Sequence, residues 1–200
     1  MDIHTKEKIF AVALIVLGIL LGLLFYDVFL SQQGTTHTYD GNISVSVING
    51  RDYFEQVHSL LQGANSSIYL SMYMAKYYPT NPKAKSNWLY EDLIAAKKRG
   101  VDVQVVLEGG DDGFYKSIKE GNTLTFDYLK KNGIDVSFDC PKQTTHSKLF
   151  IVDNRCVVVG STNLGTSAID SNHEANVILC SIQEAQKFKD YFLSVKNQIC

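Results

Sequence analysis

The pattern of apolar and polar positions between residues 43 and 139 predicts strands that alternate with helices. The runs "ISVSVI", "SIYLSMYM" and "IDVSF" alternate as half-buried strands do, and "VDVQVVL" is nearly continuous, as in a strand covered on both faces. Between them, "RDYFEQVHSLLQGA", "LYEDLIAAKKRG" and "TLTFDYLKKNG" carry apolar residues at helical spacing and end at or beside a glycine. This order predicts an α/β fold with a mixed, largely parallel β-sheet flanked by helices on both faces.

The last third of the chain has a different pattern. The runs "KLFIVD" and "CVVVG" are separated by a short turn and predict a β-hairpin. "EANVILC" predicts one more strand, and "SIQEAQKFKDYFLSVKNQ" predicts a closing amphipathic helix. Ser181 and Glu184 have the spacing of a capping box at the start of this helix. We therefore expect one folded domain over residues 43–200.

The N-terminal part is predicted to be a membrane anchor over residues 1–30. Residues 9–26 contain no charged side chain, and eighteen helical residues span about 27 Å, close to the thickness of a bilayer's hydrocarbon core. We place the membrane contact over residues 9–30, followed by a polar linker over residues 31–42. A cleaved signal peptide and a buried soluble helix are the alternatives. Lysines precede the span and basic residues are missing just after it, which predicts a cytoplasmic N-terminus and an extracytoplasmic domain.

Composition limits the function classes. With 45% hydrophobic and 20% charged residues, the chain is typical of a globular protein, and disordered or fibrous classes are excluded. A net charge of -2 argues against general polyanion binding, so any nucleic-acid contact must use a local basic patch. The cysteines form no C-x-x-C pair, which argues against a zinc site. Those in the strand runs are interpreted as buried small hydrophobes, with disulfide pairing left open. The four cysteines are Cys140, Cys156, Cys180 and Cys200.

The hairpin carries the first candidate chemistry. His146 and Lys148 are two residues apart, so in a strand they project from the same face. The positive charge of Lys148 is expected to lower the pKa of His146 and keep the imidazole neutral near pH 7. Asp153 has odd spacing from both and is expected on the opposite face. Alone, the His-x-Lys pair also fits a solvated strand end, because His4 and Lys6 repeat it in another context.

The loop after the hairpin adds groups that suit a phosphate. Gly160 allows close backbone approach to a ligand, and Ser161 and Asn163 carry neutral donors for phosphate oxygens. An ordinary turn is the alternative interpretation of these residues. Together with a histidine and a lysine at the same end of the sheet, they predict a phosphoryl site that needs no metal and no cofactor.

The whole pattern H-x-K-x4-D-x6-G-S-x-N resembles the HKD signature of the phospholipase D superfamily. The resemblance extends over most of residues 42–198, where "SIYLSMYM", "LIAAKKRGVDVQVVL" and "LKKNGIDVSF" are similar to strand-helix segments of the single-HKD branch. That branch includes the bacterial Nuc-type endonucleases and the mitochondrial, membrane-anchored Zucchini type. The matching positions are His146, Lys148, Asp153, Gly160, Ser161 and Asn163.

The resemblance implies a two-step cleavage of phosphodiesters through a phosphohistidine. It implies that Lys148 and Asn163 bind the phosphate with support from Ser161, and that Glu174 orients the imidazole. Asp153 belongs to the same catalytic signature. Because the reaction needs two histidines and the chain has one motif, the resemblance implies a homodimer that pairs His146 of both copies in one active site.

A long loop over residues 76–88 is a candidate substrate contact. Lysines alternate there with aromatic residues, a combination that suits single-stranded nucleic acid, a membrane interface or simply a solvated loop. We favour a nuclease acting on DNA or RNA. A membrane-associated phospholipase D or cardiolipin hydrolase and an inactive HKD dimerisation scaffold are the alternatives. The candidate loop residues are Lys76, Tyr77, Tyr78, Lys83, Lys85 and Trp88.

Overall fold

The structure, a computed structural model, describes residues 43–110 and 116–198 together with Gly18. The predicted linker and, Gly18 apart, the predicted anchor lie outside the described residues. Within them, no helix combines the length and the apolar character needed to cross a membrane. The chain divides into two units, Met1–Asp40 and Gly41–Cys200, and every element named below belongs to the second unit.

The described part of the second unit contains seven strands and five helices in alternating and hairpin arrangements. The strands are β1 (Ser44–Val47), β2 (Ser67–Met72), β3 (Asp102–Leu107), β4 (Asp135–Phe138), β5 (Lys148–Val152), β6 (Cys156–Gly160) and β7 (Asn176–Cys180). The helices are α1 (Asp52–Gln62), α2 (Lys85–Lys98), α3 (Lys116–Lys131), α4 (Thr166–Asp170) and α5 (Ile182–Lys196).

All seven strands form one sheet in the order β1-β7-β6-β5-β2-β3-β4. The prediction of a mixed sheet is confirmed, but the prediction that it is largely parallel is wrong. Only β2–β3 and β3–β4 pair in parallel, and the other four pairs are antiparallel. The reason is that β1 does not form a β-α-β unit with β2. It pairs with β7 at the far edge instead, and β5, β6 and β7 form an antiparallel meander.

Helices cover both faces of the sheet. Residues of α1, α2 and α3, including Phe54, Leu93 and Leu129, pack in the larger cluster against Leu70 and its neighbours. On the other face, α5 packs Phe192 in a smaller cluster that includes Tyr69 and Leu149. Successive residues of β2 therefore enter different cores, as the period of two in a strand requires, and every residue of β2 is buried. Because β2 is held on both faces, its end is a rigid support for side chains.

The cysteines of β6 and β7 form a disulfide and are not simply small buried hydrophobes as predicted. Cys156 and Cys180 are direct cross-strand partners and are bonded to each other. The sequence could not reveal this disulfide, because the two cysteines are brought together only by the pairing of β6 with β7. Cys140 is also disulfide-bonded, whereas Cys200 lies outside the described residues. The Cys156–Cys180 bond joins the beginning of β6 to the end of β7.

Candidate active site

Four strand ends meet at one edge of the sheet and carry the candidate residues. Because β2 and β5 are antiparallel, the end of β2 lies beside the start of β5, with Met72 opposite Lys148. In the same way, the end of β6 lies beside the start of β7, with Gly160 opposite Asn176. His146 lies two residues before the start of β5 at Lys148. The segments that follow β6 and precede β7 contribute the remaining groups. This edge is the mouth of the candidate site.

His146 and Lys148 share one aromatic neighbour. The ring of Tyr73 lies 4.3 Å from the His146 ring, centroid to centroid. The ammonium of Lys148 lies 4.7 Å from the centroid of the same Tyr73 ring, and it donates a 2.7 Å hydrogen bond to the backbone oxygen of His146. Sequence reasoning missed Tyr73, because its position beside His146 follows from the pairing of β2 with β5, which the sequence does not reveal.

The environment of the site keeps the imidazole neutral. Burial lowers the pKa of His146 below its ordinary value, and the charge of Lys148 lowers it further. The expected effect of Lys148 is therefore present, but burial is the larger cause. A neutral imidazole has a ring nitrogen with a lone pair that can attack an electrophile.

Lys148 is a buried cation that prefers an anionic ligand. Only 8% of the residue is exposed, and burial lowers the pKa of its ammonium while the negative charge of Glu174 opposes this shift. A buried charge is costly unless it is paired. A phosphate at the mouth of the site would add a negative charge to that of Glu174, next to the neutral imidazole.

Ser161 and Glu174 form a second group at the mouth. The Ser161 hydroxyl donates to one carboxylate oxygen of Glu174, and the side-chain amide of Asn172 donates to the other over 3.0 Å. The amide of Ala175 donates to Ser161 Oγ over 3.1 Å. Glu174 is thus held close enough to influence Lys148 electrostatically. Its predicted role in orienting the imidazole stays a prediction.

Gly160 and Asn163 are fixed by the surrounding backbone. A Cβ atom at Gly160 would lie 2.2 Å from Asn176 Oδ1 and 2.4 Å from the backbone oxygen of Ala175, so only glycine fits there. The Oδ1 atom of Asn163 accepts a 3.2 Å hydrogen bond from the backbone amide of Met74. This contact turns the oxygen of the Asn163 side chain toward the end of β2 and leaves its NH₂ group on the other side.

Asp153 lies at the other end of β5. Seven residues separate it from His146, which in an extended strand is about 23 Å. Its carboxylate accepts hydrogen bonds of 2.7 to 3.1 Å from the backbone amides of Asn65, Ser66 and Ser67. Burial alone would raise its pKa, but these N–H donors outweigh burial and lower it. The structure therefore does not bring Asp153 together with His146 and Lys148.

Several side chains of the predicted substrate loop are engaged in packing. Tyr77 stacks on Tyr128 of α3, with ring centroids 3.9 Å apart. The indole nitrogen of Trp88 donates to the backbone oxygen of Pro82 over 3.0 Å, and its ring packs against Phe54. These contacts place the two aromatic rings against the helical layer. A stacking role toward a substrate stays a prediction for both.

Of the other residues in the predicted substrate loop, Lys76 and Tyr78 lie near the segment that follows Asn163. Lys85 forms a 3.1 Å ion pair with Asp170, and Lys83 is exposed. The hydroxyl of Tyr78 lies 3.5 Å from a Cβ built on Gly165, and the side chain of Lys76 passes within about 4 Å of the same point. The backbone amide of Lys76 donates to the oxygen of Leu164 over 2.7 Å, next to Asn163. The Cε atom of Lys76 lies 3.8 Å from a Cβ built on Gly121 of α3, so its side chain runs from the mouth toward that helix.

The other described histidines lie in different surroundings. His58 Nδ1 is 2.5 Å from a carboxylate oxygen of Asp92, between α1 and α2. His173 is exposed beside Glu174. Across residues 43–110 and 116–198, no three His, Cys, Asp or Glu side chains are grouped in a way that could hold a metal ion.

A mixed sheet with a His-x-Lys pair at one strand mouth and a Gly-Ser-x-Asn loop beside it defines a phospholipase D-like domain. Residues 57–196 match the family described as cardiolipin synthase, PLD-like domain. The chain belongs to this phospholipase D-like family, which confirms the resemblance seen in the sequence. Members of the superfamily are phosphodiesterases and hydrolases.

The similar proteins include a cardiolipin synthase and the proteins Nuc and NucT. Cardiolipin synthase B of Escherichia coli strain K12 is 32% identical over 98 residues, which are 49% of this chain and 23% of that protein. The phospholipase D family member Nuc from Salmonella typhimurium has a similar structure, with a TM-score of 0.65 and 28% identity over 78% of this chain and 96% of Nuc. NucT from Helicobacter pylori shares the fold, with a TM-score of 0.59 and 17% identity over 77% of this chain and 96% of NucT. The chain therefore spans less than a quarter of the cardiolipin synthase but nearly all of Nuc.

Proposed function

We propose that this protein is a nuclease that hydrolyses phosphodiester bonds through a covalent intermediate on His146, without a metal ion. The observation that carries the proposal is the neutral imidazole of His146 beside the buried ammonium of Lys148. This pair presents a nucleophile and a cation to the same phosphate.

In the first step, a ring nitrogen of His146 attacks phosphorus, and the bond from phosphorus to the leaving oxygen breaks. A second histidine, in its protonated form, gives its proton to that oxygen. In the second step, this histidine takes a proton from water, the resulting hydroxide attacks the phosphohistidine, and the nitrogen–phosphorus bond breaks. Lys148 and the NH₂ group of Asn163 compensate the negative charge on the phosphate oxygens throughout.

The second histidine is proposed to come from a second copy of the chain. Among the described residues, His58 is paired with Asp92 between two helices, and no second His-x-Lys pattern accompanies His173. A two-fold axis at the mouth would bring the two His146 side chains into one site. Size-exclusion chromatography with light scattering tests this proposal, because an active monomer contradicts it.

Nucleic acid is the favoured substrate because the sequence resembles the Nuc-type endonucleases. The domain also matches Nuc over 96% of the length of Nuc, so both consist mainly of one such domain. In addition, Lys76 extends from the mouth toward α3 and is proposed to contact a neighbouring phosphate of a polymer. The second candidate is a phospholipid phosphodiester. It is supported by the 32% identity to a cardiolipin synthase and by the apolar run in residues 9–26.

The location proposed for the domain is extracytoplasmic, with residues 9–30 in the membrane and the N-terminus in the cytoplasm. The disulfide between Cys156 and Cys180 supports this proposal, because such bonds persist in oxidising compartments and are rare in the cytosol. Alkylation of thiols before and after reduction, in protein taken directly from cells, tests it. Free thiols before reduction would contradict the proposed location.

The decisive experiment compares substrates in parallel. The full chain in detergent micelles is incubated with labelled single-stranded DNA, single-stranded RNA and cardiolipin vesicles, with and without EDTA. We expect cleavage of nucleic acid that resists EDTA, and loss of that cleavage in His146→Ala but not in the matched control His173→Ala. Product from vesicles alone would establish the lipid reaction instead. Dimers without activity on any phosphodiester would establish a scaffold.

A further inference from the structure

Two buried carboxyl groups meet directly beneath the segment that carries His146. Glu108 follows β3 and is 2% exposed, and Asp139 follows β4 and is 7% exposed. Both accept a hydrogen bond from the backbone amide of Thr145, Asp139 over 3.1 Å and Glu108 over a shorter distance. Thr145 is the residue immediately before His146. Two side chains from the parallel half of the sheet therefore hold the backbone that leads into the nucleophile.

Further hydrogen bonds fix the two carboxyl groups in place. The other oxygen of Glu108 accepts from the amide of Gly110 over 2.8 Å, and the other oxygen of Asp139 accepts from Gly109 over 2.7 Å. The side-chain amide of Asn122 donates to the backbone oxygens of both Glu108 and Tyr73, over 2.9 and 2.8 Å. The backbone of Tyr73, whose ring contacts the imidazole, is thereby tied to the same point.

The arrangement favours one proton between the two carboxyl groups. Two carboxylates that converge on one N–H group inside a protein repel each other, so a proton held between them stabilises the pair. Burial, together with the negative charge of Asp139 and a hydrogen bond to it, raises the pKa of Glu108. Among the described residues, the other hydrogen-bond partners of the Glu108 carboxyl group are the backbone amides of Gly110 and Thr145, neither of which carries a charge. The amide of Asn122 donates to the backbone oxygen of Glu108. A proton held by Glu108 can be donated to Asp139.

We propose that Glu108 and Asp139 form a proton-sharing pair that positions His146 for attack by holding the amide of Thr145. The inference rests on the proposed function, since it assigns positioning residues to the same site. The pair touches neither substrate nor imidazole and acts through the backbone. Its effect on catalysis is expected to be large, because displacing a reacting group by about 1 Å can cost about 100-fold in rate.

Amide substitutions separate the pair from ordinary packing. Glu108→Gln keeps an oxygen for Gly110 and offers an NH₂ donor to Asp139, which still accepts from Thr145. Asp139→Asn keeps Glu108 as the acceptor in the same way. The double variant turns two NH₂ groups toward the amide of Thr145, so this donor loses both acceptors. All three variants conserve volume closely, which makes the single variants matched controls for the double variant.

The test measures hydrolysis of bis(4-nitrophenyl) phosphate by the full chain in detergent micelles, and the chemical shifts of the His146 ring by NMR. Circular dichroism verifies folding. We expect each single variant to stay within about threefold of the wild-type kcat, and the double variant to lose about 30- to 100-fold in kcat with KM changed less than threefold. The His146 resonances should shift in the double variant alone. A folded double variant with wild-type kcat and unshifted His146 resonances would refute the proposal.

A pH series keeps the proposal testable if the double variant does not fold. In the wild type, alkaline pH removes the shared proton and leaves two repelling carboxylates, whereas Glu108→Gln carries its donor at every pH. The ratio of the variant's kcat to the wild-type kcat should therefore rise with pH, and a flat ratio would overturn the shared proton. If the wild type hydrolyses no phosphodiester, the proposed function fails, but the His146 resonances measured across the same pH range still decide whether the pair positions the imidazole.

Discussion

Replacing Gly160 by alanine should damage both stability and catalysis, because the new methyl group has no space. The added Cβ would lie 2.2 Å from Asn176 Oδ1, 2.4 Å from the backbone oxygen of Ala175 and 2.6 Å from Asn176 Cα. Ordinary contacts begin near 3.4 Å, so the start of β7 must move by about 1 Å. Two of the three atoms belong to the backbone, so a change of rotamer cannot relieve the overlap.

The cost follows from this geometry. Overpacking of this kind costs about 1–3 kcal/mol, and we expect the upper end of this range because the backbone must move. For a protein of this size, 3 kcal/mol lowers the melting temperature by about 6–12 °C. The same shift displaces Glu174 and Ser161 relative to Lys148, so kcat should fall by about 100-fold.

The assay is thermal denaturation without reducing agent, together with phosphodiester hydrolysis at a temperature where the variant is folded. The matched control is Gly63→Ala at the C-terminal end of α1. There φ is -79° and the added Cβ would lie 3.5 Å from the backbone oxygen of Ser59, an ordinary contact. We expect this control to stay within about 0.5 kcal/mol of the wild type. If Gly160→Ala matched the control in both measurements, the proposed overlap with β7 would be wrong.

Three further predictions concern other parts of the domain. Because the pKa of His146 is lowered and the proposed mechanism needs one neutral and one protonated His146, activity should pass through a maximum below pH 6.5 and fall on both sides of it. NMR titration of Lys148→Met should show a higher His146 pKa. Asp153→Asn should cost about 1–2 kcal/mol in urea denaturation at pH 7. The folded-state pKa of Asp153 is lowered, so the stability that its carboxylate adds is present above the unfolded-state pKa of about 3.9 and is lost in acid. If the stability difference between wild type and Asp153→Asn were unchanged at pH 2, the ionised carboxylate would not be the source of that stability. Removing the disulfide by Cys156→Ala with Cys180→Ala should cost about 2–4 kcal/mol of stability and leave kcat nearly unchanged, because the bond lies at the other end of β6 from the site.

The local elements could be predicted from the sequence, because their signals are local. The hairpin of β5 and β6 was predicted from two apolar runs and a short turn, and the register confirms it. The predicted capping residue of the last helix is confirmed as well, since Ser181 accepts a hydrogen bond from the Glu184 amide. The prediction that Asp153 points to the opposite face of the strand does not apply, because β5 ends at Val152 and Asp153 has a φ of 54°. Asp153 is separated from His146 by its position at the other end of β5.

The pairing of distant segments could not be predicted. The position of β1 beside β7 depends on contacts between opposite ends of the domain, and no local pattern encodes it. For the same reason the sequence did not reveal Tyr73, which contacts His146 from the end of the neighbouring strand β2. The sequence also did not reveal the pair of Glu108 and Asp139, because each residue by itself has the pattern of a solvated carboxylate that follows a strand. Residues that support a site from a distance become visible only when the sheet order is known.

The edge position of β1 has a consequence for the order of folding. Ser44 is the first residue of the sheet, yet its partner is Cys180 in the last strand. Contacts between such distant residues form late, because closing a long loop costs entropy before any contact compensates for it. Until β7 is made, Val45 and Val47 have no strand to pair with, and they remain 58% and 69% exposed even in the finished domain. Among the described strands, β1 is therefore the first to be synthesised and the last to be paired. During this interval it is an unpaired strand open to aggregation with other chains.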